Sequence, residues 1–211
     1  MSTATAFPIA KSATLKSAAL SPFPSPRALA LEQTPMRGLE RVFQRGTMPE
    51  LDALVGWEFR GINHLPLNAL NLAYAVGIKK FMKGFYREAG RDGDRVMGYN
   101  IPVGRNALDG RWHLKPSDSE PKRFGFFEVA PVDPTARDNE YLHSLLFDYG
   151  KGGNPKGDPS NGLRDYLVQV DPANPDLYLG KAYFAIGPAR LAMSFFILER
   201  HRVGLTEYVR R

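Results

Sequence analysis

The chain has 211 residues, 43% of them hydrophobic, 11% aromatic and 24% charged, with no cysteine and a formal net charge of +6. That length and balance suit one globular domain with a tail; they exclude a disulfide-stapled miniprotein, a wholly disordered chain and thiolate chemistry. The charge is uneven: residues 1–46 hold six basic side chains against two acidic ones, so the remainder carries only +2 and lacks the basic, aromatic-interleaved face of a nucleic-acid-binding module.

No acidic residue precedes Glu32, and Ala, Ser, Thr and Pro dominate the start of the chain without a sustained hydrophobic period. Such a segment cannot build a core, so residues 1–48 are expected to be a disordered basic tail and 49–211 the domain. A Ser-rich, acid-poor start is also the composition of an organellar transit peptide, while Lys11, Lys16 and prolines 22, 24 and 26 interrupt any secretory signal. The location expected is therefore cytoplasmic or, on the transit reading, organellar. Residues 37–44 suit a short helix leading into the domain.

Residues 54–61 read as a first strand, with Trp57 and Phe59 on one face and Glu58 and Arg60 on the other. A helix is predicted to open at Pro66: Leu67, Leu70, Tyr74, Ile78 and Phe81 recur at spacings of three and four, and Lys79, Lys80 and Lys83 follow where the helix dipole favours cations. The apolar run 65–78 is well short of the ~20 residues of a membrane-spanning helix. From there the period is two. Segments 83–88, 95–103, 111–115, 122–132, 141–149, 163–170, 177–184 and 190–200 read as strands, separated by turn sequences such as Arg91-Asp92-Gly93-Asp94 and Gly187-Pro188. About nine strands with one helix after the first imply a mainly β, antiparallel barrel or sandwich, because parallel sheets need a crossover between strands. In a barrel, the alternation offers Met97, Tyr99, Ile101 and Val103, and Leu191, Met193, Phe195 and Ile197, as lining. A small barrel interior is either filled by side chains or open for one small ligand.

The segments Leu54-Val55-Gly56-Trp57-Glu58-Phe59-Arg60-Gly61 and Asn63-His64-Leu65-Pro66, with Asp165 to Val170, Leu177 to Ala182 and Phe195 to Arg200 near the end, resemble the calycin-like barrels. More narrowly they are similar to the bacterial lipocalin-like family named for its GXWXG motif. The resemblance implies a lipocalin-like barrel in which Trp57 closes the floor beneath Arg200; a cation over an indole is worth ~0.5–2 kcal/mol.

No GxGxxG, P-loop, HExxH, GxSxG or CxxC motif is present, and the four histidines, His64, His113, His143 and His201, do not pair at metal-ligand spacing. No metal or cofactor is implied. The glycine-rich run 150–157 reads as a flexible loop. His143, on the parity of Leu145, Phe147 and Tyr149, is a candidate interior base or ligand donor, or a hydrogen-bonded core histidine. Glu128 shares the parity of Phe124 and Phe126. Lys181 alternates with Leu179 and Tyr183; turned inward it would pair with a ligand carboxylate or form an imine, and turned outward it would snorkel to water. The leading expectation is a barrel binding a small hydrophobic molecule through Tyr86, Tyr99, His143, Tyr149 and Lys181. The alternatives are an isomerase or hydrolase acting on a lipid-like substrate through His143 or Glu128, and a filled barrel serving as a structural or interaction module.

Overall fold

In the computed structural model, residues 20–65, 79–88 and 94–208 are described. Two α-helices, α1 (Pro26–Glu32) and α2 (Met36–Arg45), come first, followed by a 3-10 turn at Leu51–Ala53. Eight strands then close into a barrel in chain order: β1 (Trp57–His64), β2 (Lys80–Glu88), β3 (Arg95–Pro102), β4 (Phe124–Pro131), β5 (Leu145–Asp148), β6 (Leu163–Gln169), β7 (Leu177–Ile186) and β8 (Ala189–Val203). Every neighbouring pair is antiparallel, and β8 pairs with β1 to complete the ring. Closure leaves no long unpaired sheet edge.

Among the described residues the count is eight strands and not nine, because 111–115 forms no strand. Its Leu114 makes a single bridge to Val103, and its Trp112 lies over Lys80 on the outside of the barrel, Nζ 3.7 Å from the ring centroid. The helix predicted from Pro66 falls on residues 66–78, outside the described residues. Phe81, placed on that helix, belongs to β2, and so does Lys83, which the sequence places both beyond the helix end and at the start of the strand 83–88. Among the described residues the α-helices instead precede β1.

Part of the segment expected to be a coreless tail is packed. Ser25 caps α1 by accepting a hydrogen bond from the Ala28 N–H, and Pro26 occupies the first turn. Ala28, Leu31, Leu39 and Phe43 are buried, with α1 against β8 and β1 and α2 against β7. The apolar residues are too sparse to build a core of their own, but they suffice to complete one that the barrel already provides.

Which barrel face is inner follows from one contact. β2 and β6 stand on opposite sides of an eight-strand ring, yet Lys83 Nζ and Asp165 Oδ2 are 3.4 Å apart, a separation bridged only through the interior. The inner set therefore contains Phe59, Phe81, Lys83, Phe85, Phe127, Phe147, Asp165, Leu167, Tyr178 and Phe196. Their rings meet across the barrel, Phe59 with Tyr178 at 5.6 Å and Phe85 with Phe147 at 5.4 Å between centroids. Aromatic pairs of this kind add ~0.5–1.5 kcal/mol each beyond simple burial. Gly98 and Gly180 make room for rings: a Cβ at either would lie 2.2 Å from Phe127 or 2.0 Å from Phe196.

Of the faces expected to line the barrel, those of Met97, Tyr99, Ile101 and Val103 and of Phe195 and Ile197 are outer ones; a register shift in the β7–β8 pairing separates Leu191 from that face and pairs it with Phe184. Met97, Tyr99, Ile101 and Val103 are buried, and so are Phe195 and Ile197, but beneath the helices and loops that wrap the barrel. Leu191 and Met193 are 51% and 47% exposed, because the β7–β8 hairpin runs on past the end of β1, whose last pair is His64 with Phe195. Alternation marks two faces of a strand without saying which one points in, and here both are apolar.

Candidate functional site

In an up-and-down barrel, alternate connections gather at the same end. One end carries the β1–β2, β3–β4, β5–β6 and β7–β8 connections, and the other carries the remainder. The second end is floored by Trp57 and Arg200: the guanidinium carbon lies 4.5 Å from the indole centroid, and Arg200 also pairs with Asp176 at 2.7 Å and donates to the Ala53 carbonyl at 3.1 Å.

Toward the first end sits a polar cluster within the aromatic wall. Lys83 is the fourth residue of β2, with Phe81 and Phe85 on its parity, and Asp165 is the third residue of β6, between Leu163 and Leu167 on its own. Lys83 Nζ donates to Asn100 Oδ1 at 2.8 Å and to the Tyr149 hydroxyl, and it faces Asp165. Tyr149 in turn donates to Asp165 Oδ2 at 3.1 Å, and the Asn100 amide donates to the Gly125 carbonyl at 2.8 Å. Around the ammonium stand Phe127 at 4.7 Å, Phe81 at 5.3 Å, Phe196 at 5.5 Å and Phe147 at 5.9 Å from ring centroid to Nζ. Lys83, Tyr149 and Asp165 are buried; Asn100 and Phe81 are only half-buried.

Burial lowers the Lys83 pKa against the opposing pull of Asp165, and burial raises that of Asp165 against the pull of Lys83. The Tyr149 phenol is pushed up by burial and by the neighbouring carboxylate. The low dielectric thus draws the pair toward its neutral forms, Lys-NH₂ and Asp-COOH. Its chemistry is that of an amine, a carboxyl and a phenol able to pass one proton among themselves, with an amide carbonyl accepting from the amine.

Of the residues singled out from the sequence, Tyr149 alone joins this cluster. Tyr99 and Tyr86 lie on the outer face: Tyr99 donates to Glu58 Oε1 at 2.9 Å, and Glu58 Oε2 accepts from Arg202 at 2.6 Å. Burial, then the Glu58 charge, raises the Tyr99 pKa. Lys181 is also outward. It pairs with Glu40 of α2 at 2.9 Å and donates to Tyr141 Oη at 2.6 Å, so it tethers the helix to the barrel. His143 precedes β5, where Ser144 N donates to the Tyr141 carbonyl in a turn that takes the imidazole off the inner parity. Its Nε2 lies 3.3 Å from the Phe43 carbonyl of α2. Glu128 faces outward to Arg95 and Lys151, each at 3.4 Å. His143 and Glu128 share no partner.

Lys83, Asp165 and Asn100 were missed, although their signal was present. Lys83 sits at the centre of Phe81-x-Lys83-x-Phe85, and Asp165 at the centre of Leu163-x-Asp165-x-Leu167, each a charge on an otherwise apolar parity. Placing Phe81 on the helix and starting the strand at Lys83 splits the first of these patterns. Among the described residues no group of three or more His, Asp or Glu could hold a metal ion, and no helix is long and apolar enough to cross a membrane. Comparison of the chain with protein-family models gave no match, and comparison with curated proteins gave none either.

Proposed function

We propose that the chain is a lipocalin-like barrel of the GXWXG type that binds a small hydrophobic molecule, with the polar head of that molecule at the Lys83 cluster. The observation that carries this reading is the placement of an amine, a carboxyl, a phenol and a carboxamide together inside an aromatic wall. A buried ion pair is seldom worth more to stability than apolar side chains of the same volume, and often less. Packing alone therefore gives no reason for the cluster, whereas an apolar interior with a few convergent polar groups near one end is the usual form of a small-molecule site in such barrels. An isomerase or hydrolase on a lipid-like substrate would have to use this cluster, since His143 and Glu128 are outside the barrel and apart.

One observation favours the filled barrel as the second reading: rings occupy the space over Gly98 and Gly180, so the aromatic wall is closely packed at those points. Native mass spectrometry of protein purified without detergent separates the two. A stoichiometric small-molecule adduct, present in the wild type or after incubation with apolar ketones, esters and fatty acids, and lost in the Lys83→Met/Asp165→Leu double variant, is expected for the binding barrel. A mass that stays clean through all of those incubations would establish the filled one.

A further inference from the structure

Resting on the binding reading, we propose that the site selects uncharged molecules bearing a carbonyl oxygen, such as apolar ketones, aldehydes and esters, and discriminates against carboxylates of the same skeleton. The argument begins with charge. Among the described residues Lys83 is the single cation facing the cluster and Asp165 the single anion, 3.4 Å away. Wherever the shared proton resides, their sum is zero. A carboxylate entering this enclosure adds a second negative charge with no cation left to match it, and an unmatched charge in an apolar interior is among the most costly arrangements a protein can hold. Repulsion between two carboxylates close together adds to that cost.

The second step identifies the oxygen that fits. Lys83 already donates to one neutral carbonyl, the Asn100 side-chain amide, at 2.8 Å. Among the four members of the cluster, Asn100, directly opposite Lys83 on β3, is the half-buried one. A ligand carbonyl reaching this half-buried position can take the place of Asn100 Oδ1 on the Lys83 donor and leave the Asp165 and Tyr149 contacts with Lys83 intact, with no change in net charge. The Phe81, Phe127 and Phe196 rings then face its apolar body. A hydroxyl oxygen would also be neutral and could accept from Lys83, but its O–H brings a donor that the replaced Asn100 oxygen does not have and that would need an acceptor of its own.

The test compares 2-acetylnaphthalene with 2-naphthoate, one skeleton with two heads, by equilibrium dialysis at pH 7.5. The wild type is expected to bind the ketone at least about tenfold more tightly than the carboxylate. Asp165→Asn, which leaves Lys83 unmatched, is expected to move the ratio toward the carboxylate by at least about tenfold. Asn100→Ala, a change at a half-buried position, keeps the order of preference and raises ketone affinity by removing the internal competitor. Equal or preferential binding of naphthoate by the wild type would overturn the selectivity and leave the binding reading standing, as would a folded Asp165→Asn protein with an unchanged ratio. Failure of the wild type to bind either probe would overturn the binding reading and the selectivity together.

Discussion

Two lysines divide the molecule into an inside and an outside. Lys83 and Lys181 are similarly enclosed, their side chains 4% and 12% exposed, each ringed by aromatic side chains and each bonded to a tyrosine hydroxyl and a carboxylate. Yet their pKa values move in opposite directions. Burial lowers that of Lys83, whereas at Lys181 burial is outweighed by the hydrogen bonds that the ammonium donates to Tyr141, Glu40 and Tyr183, and the pKa rises. The Glu40 partner is 39% exposed, so water shares in solvating the outer pair; Asp165, at 6%, has no such help. Aromatic enclosure therefore does not by itself mark a functional lysine. What distinguishes Lys83 is that its counter-charge is buried with it.

The sharpest way to break this comparison is to remove one half of each pair. Lys83→Met strands Asp165 in the interior and is expected to cost about 4 kcal/mol in urea unfolding, while Lys83→Met/Asp165→Leu recovers most of that loss. A single variant as stable as the wild type would mean that Asp165 is already uncharged. Next in size is the helix that holds the outer lysine. Phe43→Ala removes a fully buried ring packed on Tyr141 at 5.1 Å and Phe195 at 6.3 Å, and about 3 kcal/mol is expected to go with it. Lys181→Met should cost only about 1 kcal/mol, because its carboxylate partner remains solvated.

The smallest effect expected is a pH slope. His201 lies near the outer Arg60, and burial first, then the Arg60 and Arg202 charges, bring its pKa down to about 4. Between about 4 and the ordinary value of about 6.5 the unfolded chain binds a proton that the native one does not. Stability therefore falls as pH is lowered through that window. His201→Gln is expected to flatten this part of the slope, read from urea midpoints at pH 4.5 and 7; an unchanged slope would place the charged imidazole comfortably in the native fold.

Much of the barrel was legible. Alternation gave most of the strands in close to their final positions, and the turn sequences at 171–175 and 187–188 fell where chain reversals occur. The short helix at 37–44 lies within α2. The orientation of the faces was not legible, because Met97 and Tyr99 are as apolar as Val96 and Phe127. The missing information is long-range: α1, α2, Trp112 and Tyr208 cover the outer face, and no local pattern states that residues so far away in sequence will arrive there. The site suffered from the same ambiguity. Taking the Tyr99 and Lys181 faces as inner moved the expected ligand handles to the outside and left Tyr149 as the single member that both readings share.

Closure of the ring through β8 also sets the order of events on the ribosome. Glu58 and Arg202, bonded in the finished protein, are 144 positions apart. At synthesis rates of ~5–20 residues per second, β1 waits on the order of ten seconds for its second neighbour, with an edge open to wrong partners. The two helices are made before the strands, and they dock only after the β7 and β8 surfaces they cover have emerged. Fusions or truncations that delay the last strand prolong that exposed interval, and their cost will be seen in the yield of soluble protein before it is seen in the stability of what folds.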